Sequence, residues 1–279
     1  MRLIEYAEKW LKNYKEGILK PSTFKNYEYA IKNAKKVFEE DEEIEKISTL
    51  QLKNAFVELK EMGYSKSTIR LTKKVLTQVF EQAIQDELII HNPVSKAEIP
   101  YDAHERIVDS YTEAELDSLI VAALKDVQGD AILFLLYTGL RRSELINLKW
   151  SDYNARDGII YIRKSKTDNG IREVSLSKTA KFILNRQPHN HEYVFSTTKG
   201  NPITDQSLKK TCLRLRRATG NQGITLHRCR HTFCSRLSDK GVSPKIIAEL
   251  AGHSDVSFTM QRYVHPSRDK KRQAVEMLD

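Results

Sequence analysis

Residues 226–237 read Leu-His-Arg-Cys-Arg-His-Thr-Phe-Cys-Ser-Arg-Leu. On a helix, His227, Arg230, His231 and Cys234 fall at i, i+3, i+4 and i+7 and share one face. A helix that only packs rarely lines up two histidines and an arginine, so this face is a candidate for chemistry. His227, Cys229, His231 and Cys234 are all metal-ligand types. Cys229 and Cys234 fall on different faces, however, and no Cys-x-x-Cys pair exists, so a zinc site is not expected. Cys234 reads as a small buried apolar residue. Four further positions stand out. Arg141 follows Tyr137-Thr138-Gly139-Leu140, just past a tight turn between helices. Lys166, in Ser165-Lys166-Thr167, sits at the mouth of a hairpin. His253 follows Leu250-Ala251-Gly252, a helix end with a glycine cap. Tyr263 lies ten residues on, before Val264, His265 and Pro266. Singly, each has a plain structural reading: surface charge for Arg141 and Lys166, an N-cap for His253, half-buried packing for Tyr263.

Charge narrows what such residues would act on. The 279-residue chain carries 46 Lys+Arg against 37 Asp+Glu, a net charge of +9, which suggests a polyanionic partner. Residues 1–105 hold 17 basic and 18 acidic side chains, and residues 106–279 hold 29 and 19. Only Arg2 and Arg70 precede residue 106; every other arginine lies at or beyond it. Arginine grips phosphate with a planar fork where lysine offers a point charge, so the second part looks built to handle phosphate. In the first part, one acidic knot (Glu39, Glu40, Asp41, Glu42, Glu43, Glu45) hides a basic remainder. Lys25, Lys32 and Lys36, with Tyr29 among them, recur at helical spacing, as do Lys66, Arg70 and Lys73. Each set would line one helix face. A solvated surface is the plain reading; two such stripes beside an arginine-rich domain point to nucleic acid.

The elements that must position these residues are mostly helices. Residues 2–16 alternate at helical period, Pro21-Ser22-Thr23 opens a second helix running to about Glu39, and Ser48 with Gln51 caps a third that stops at Gly63. Ser65 to Glu87 gives a fourth. No strand pattern interrupts this small bundle. Residues 95–108 lack a clear period and contain Pro100, so the expected division is a helical domain over 1–97, a linker over 98–108 and a second domain over 109–279. Thr112 with Glu115 caps the first helix of the second domain. Ala131 to Tyr137 reads as a buried helix. Ile159 to Ile162 and Ile171 to Leu176 read as strands joined by a hairpin turn at Asn169-Gly170. Helical patterns resume from Lys178. The fold class is therefore mainly α: a helical bundle followed by an α+β domain with one small antiparallel sheet. Three cysteines make no disulfide framework, the N-terminus carries acids unlike a signal peptide, and no apolar run approaches the ~20 residues of a membrane span. The chain is expected to be cytoplasmic, with no membrane partner.

Taken together, the motifs resemble the tyrosine recombinase (phage integrase) family. The matches are Thr-Gly-Leu-Arg-x-x-Glu-Leu around Arg141, the hairpin Lys166, His227-x-x-Arg230-His231-Thr, Leu-x-Gly-His253 and Tyr263-x-His265, in that order. The first domain is similar to the family's SAM-like core-binding domain, through Ser22-Thr23-x-x-x-Tyr27 and Asn92-Pro93. Cys229 stands where many members have leucine and Ser175 where many have proline; neither position is catalytic in the family. The ten-residue step from His253 to Tyr263 is one longer than in some members and resembles integrases of conjugative transposons and phages.

The resemblance implies a site-specific recombinase. Tyr263 would attack a phosphodiester of double-stranded DNA, giving a 3′-phosphotyrosine and a free 5′-hydroxyl. Arg141 and Arg230 would clamp the nonbridging oxygens, with His253 as a third donor and Glu144 orienting Arg141. His227 would handle the tyrosine proton, and Lys166 would protonate the leaving 5′-oxygen. Neither metal, ATP nor another cofactor is implied. The six basic residues Lys25, Lys32, Lys36, Lys66, Arg70 and Lys73 would contact DNA, the two domains gripping it from opposite sides. A homotetramer on two DNA sites would exchange duplexes through a Holliday junction, with a C-terminal segment passed between neighbours. Integration or excision of a mobile element is the expected role. A chromosome or plasmid dimer resolvase of the same family is the alternative, followed by a type IB topoisomerase-like enzyme and by a DNA-binding regulator that has lost activity. No N-terminal arm-binding domain is expected in this chain.

Overall fold

Side-chain caps fix where most of the helices begin. The computed structural model describes residues 1–104, 109–163, 170–253, 255–263, 272 and 275–276, and for residues 258 and 261–263 the helical backbone. The chain divides into two units, Met1–Ile107 and Val108–Asp279.

The first unit is a helical bundle: α1 (Leu3–Trp10), α2 (Pro21–Ala34), α3 (Thr49–Glu61) and α4 (Lys66–Gln85). Ser48 and Gln51 form the capping box of α3, and Ser65 caps α4. The first helical segment continues past α1 as a π-turn over Leu11–Lys15. α2 ends at Ala34 rather than near Glu39, because the backbone tightens into turns there: Lys36 N–H donates to Asn33 and Val37 N–H to Ala34. The core gathers Leu3, Trp10, Phe56, Ile69 and Phe80, with Trp10 stacked on Tyr27 at 6.1 Å. Ile99 packs against this core, Ala103 is buried in it, and Lys66 N–H donates to the His104 carbonyl. Residues 98–104, read from sequence as linker, thus fold with the first unit.

The second unit contains α5 (Glu113–Lys125), α6 (Gly129–Thr138), α7 (Arg142–Ile146), α8 (Lys178–Asn185), α9 (Asp205–Thr219), α10 (Leu226–Asp239), α11 (Pro244–Ala251) and α12 (Val256–Tyr263). The strands β1 (Tyr153–Asn154), β2 (Ile159–Ile162) and β3 (Arg172–Ser175) form one antiparallel sheet in that order. Ile160 and Val174 pair across β2 and β3 and bury their side chains in the core around α6. The last described pair of the hairpin is Ile162 with Arg172, and the turn read at Asn169-Gly170 falls on a segment whose residues 164–169 lie outside the described residues. α10 lies against α6, and Arg228 ties it to the start of α5, ion-pairing with Glu115 and stacking over the Tyr111 ring at 4.2 Å. Among the described residues, no helix is long and apolar enough to cross a membrane.

Candidate active site

Two glycine-capped helix ends build the site. α6 ends at Gly139, whose φ of +65° is left-handed; any Cβ there would strike the Phe233 ring of α10. The turn delivers Arg141 to the start of α7. Arg141 N–H donates to Glu144 Oε2 and its Nη1 to Glu144 Oε1, both at 2.8 Å, while Nη2 donates to the Gly252 carbonyl. α11 ends in a Schellman turn, with His253 N–H donating 2.8 Å to the Ala248 carbonyl and Gly252 at φ +69°. A Cβ on Gly252 would lie 2.7 Å from Arg172 Nη1 and 3.0 Å from Arg141 Nη1, so only glycine lets the two guanidiniums pack this close.

A helix C-terminus presents carbonyls without intrahelical partners and a partial negative charge. Here three arginines satisfy them. Arg172 Nε donates to Leu250 (2.8 Å), Arg230 Nη2 to Ala251 (2.6 Å) and Arg141 to Gly252. Arg230 also donates from Nη1 to Gly139 at 2.7 Å, tying both glycine turns together. Arg230 is only 8% exposed, and burial lowers its pKa to about 10, which leaves it charged at neutral pH. Glu144 is buried as well. Burial raises its pKa, but Arg172 and Arg141 more than offset this, holding it below the usual carboxylate value.

His253 is shaped by the same arginines. Burial, with Arg230, Arg141 and Arg172 acting in the same direction, pushes its pKa down to about 4, so the ring is neutral at pH 7. Its Nδ1 lies 2.7 Å from the hydroxyl of Thr259, which is fully buried on α12. Arg141, His227, Arg230 and His253 line one cleft of about 910 Å³, together with Lys209 and Arg216 of α9.

The structure separates the rest of the α10 face. His231 is buried with Nδ1 3.2 Å from Ser235 Oγ. Cys234 packs with Ile247 and Ala251, whereas Cys229 joins the main core, where burial pushes its thiol up to about 12. Lys166 lies outside the described residues. Tyr263 is the last residue of α12, which packs against α11 and α10; its side chain lies outside them too.

The basic stripes of the first unit differ from the sequence reading. Lys25 and Lys32 are exposed on α2, but Lys36 falls beyond the helix end, so the three do not share one helix. The Lys36 ammonium donates to the Tyr64 hydroxyl, close to the start of α4. Along α4, Arg70 is exposed, while Lys66 donates to the Tyr101 carbonyl (3.0 Å) and the half-buried Lys73 to that of Ala97.

The sequence reading passed over Arg172, Thr259, Lys209 and Arg216. Arg172 had one usable signal: it is two residues from the core residue Val174 on a strand, hence on the buried face, and a buried arginine needs a carboxylate.

Residues 110–270 match the phage integrase family, and residues 3–59 match the N-terminal SAM-like domain of phage integrases. The chain belongs to the phage integrase family. The chain is a tyrosine recombinase, an enzyme that cleaves and rejoins DNA. The chain is 29% identical to a XerC-like tyrosine recombinase of Caldanaerobacter subterraneus subsp. tengcongensis, over 97% of this chain and 81% of that protein. It is 26% identical to the transposase of transposon Tn916 from Enterococcus faecalis, over 95% and 76%. Among solved structures, the Tn1549 transposon integrase in complex with transposon right end DNA superposes with a TM-score of 0.80, at 25% identity, covering 100% of this chain and 99% of that one. The lambda integrase tetramer bound to a Holliday junction shares the fold, with a TM-score of 0.75 at 22% identity over 92% and 79%.

Proposed function

We propose that this chain is a site-specific recombinase that integrates or excises a mobile element through a 3′-phosphotyrosine intermediate. The observation that carries the chemistry is the convergence of Arg141, Arg230, His227 and a neutral His253 on one cleft. A phosphorane-like transition state gains negative charge on its nonbridging oxygens, and preorganised donors stabilise it. Arg141 and Arg230 take those oxygens. His253 Nδ1 is paired with the Thr259 hydroxyl; on this reading the hydroxyl is the donor, so the neutral ring carries its proton on Nε2 and donates a third hydrogen bond. Tyr263 Oη forms the new bond to phosphorus as the bond to the 5′-oxygen breaks. His227 accepts the tyrosine proton and Lys166 gives one to the leaving oxygen. Attack by a 5′-hydroxyl reverses the step and reseals the strand. The arginines supply the charge that metal ions supply elsewhere, and the Glu144 carboxylate is already occupied by two of them. Lys25, Lys32, Lys36, Lys66, Arg70 and Lys73 contact the DNA backbone from the first domain, and a homotetramer brings two sites together.

Similarity to the Tn916 transposase and the Tn1549 integrase favours the mobile-element role. Similarity to the XerC-like recombinase supports dimer resolution as the second reading. A nicked suicide duplex carrying the site, incubated with the protein in excess EDTA, should trap a covalent protein–DNA adduct; a strict Mg²⁺ requirement contradicts the chemistry. With the genomic flanks of its coding region as substrate, the first role predicts joined element ends. Resolution of tandem copies without such junctions favours the second.

A further inference from the structure

Glu144 accepts four hydrogen bonds. Oε1 takes Arg141 Nη1 at 2.8 Å and Arg172 Nη1 at 3.1 Å; Oε2 takes the Arg141 N–H at 2.8 Å and Arg172 Nη2 at 3.0 Å. A carboxylate has about four lone-pair sites, so this one is saturated, and its side chain is 1% exposed. Arg172 makes four hydrogen bonds of its own: two to Glu144, one to Leu250 and one from Nη1 to the Gly170 carbonyl at 2.9 Å. Its side chain is 8% exposed. A guanidinium has five N–H groups, so Arg172 is almost wholly spent inside the protein and is not a group that grips substrate.

We propose that Arg172 is a positioning residue for strand cleavage: it neutralises Glu144 so that the charge of Arg141 remains available to the scissile phosphate. This rests on Arg141 being a phosphate ligand, as in the function proposed above. The ledger is simple. One buried carboxylate between two arginines leaves one positive charge at this corner of the cleft. Without Arg172, two acceptor sites of a buried anion are orphaned, and the nearest replacement donor is Arg141 itself. Arg141 would then close into a paired fork with Glu144 and withdraw both charge and donors from the cleft. Arg172 has a second grip on the geometry through Leu250, which holds the helix end that carries Gly252 and His253.

A merely structural role and this one differ in what rescues the loss. Substituting Arg172→Met should lower the single-turnover cleavage rate on a suicide substrate on the order of a hundredfold, the scale of losing one transition-state donor. Affinity for the DNA site should change much less. Removing the anion too, in Arg172→Met/Glu144→Gln, should restore cleavage to within about tenfold of the parent, because Arg141 is then released. Arg172→Lys, which keeps the charge without the fork, should fall between parent and Arg172→Met, and it carries the test if the methionine variant fails to fold. The inference is overturned if the double variant is no faster than Arg172→Met, if Arg172→Met binds and cleaves like the parent, or if Arg172→Lys, with the charge kept, loses the full hundredfold. Lack of any adduct from the parent chain defeats the reading of the site instead, and that control is run alongside.

Discussion

His253 is kept neutral inside a ring of arginines, and this has a consequence for stability. Its pKa is about 4 in the folded chain, against an ordinary value of about 6.5 once unfolded. Between those values the unfolded chain takes up a proton that the folded chain refuses, so stability falls as pH drops through this window. Denaturant unfolding at pH 7, 5.5 and 4.5 should show that decline, and His253→Asn should flatten it; an equal slope in both proteins contradicts the assignment. A second expectation concerns Lys166. If it protonates the 5′-oxygen, Lys166→Ala should be rescued by a substrate with sulfur in the 5′-bridging position, since a thiolate leaves without a proton. Equal slowness on both substrates assigns Lys166 another task. At this scale the sequence was informative where spacing and turn chemistry coincide: Gly139 then Arg141, Gly252 then His253, His227 and Arg230 one turn apart. It was silent on Thr259 and offered only a strand position for Arg172. Their partners, Glu144 and His253, meet them only through strand pairing and helix docking, and either residue alone passes for an ordinary strand arginine or helix threonine.

Among the elements, the end of α11 does the most positioning. Three successive carbonyls, Leu250, Ala251 and Gly252, each hold an arginine from β3, α10 and the start of α7. Gly252→Ala would strain a left-handed residue by roughly 1–2 kcal/mol and push a methyl into Arg172 and Arg141. Cleavage should fall far more than DNA binding does, measured by single-turnover kinetics beside a binding titration; parallel losses would mean the helix end only supports the fold. Capped helices were readable in advance: the boxes at Ser48/Gln51 and Thr112/Glu115 form as their spacing requires. Two features escaped for physical reasons. β1 has two residues, too few for any period. The π-turn after α1 keeps the apolar pattern of a helix while changing its winding.

Across the whole molecule, basic charge is concentrated in the second part of the chain, which also carries the cleft. A recombinase that exchanges strands in order must couple neighbouring subunits. The segment from 268 onward is basic early and apolar later, and most of it lies outside the described residues. Passed to a neighbour, it would link the position of Tyr263 to occupancy of the next subunit. Deleting residues 268–279 should therefore leave a protein that binds one half-site normally but loses cooperative binding to the full site in a gel-shift titration. Unchanged cooperativity would mean the segment folds back on its own domain. The central claim, that one tyrosine forms the covalent link to DNA, is most directly tested by trapping the adduct on a suicide substrate, digesting it and locating the phosphorylated residue by mass spectrometry. The account predicts phosphate on Tyr263 alone, with no adduct from Tyr263→Phe although that variant still binds the site. A trapped phosphate on any other residue, or an undiminished adduct from Tyr263→Phe, would contradict it.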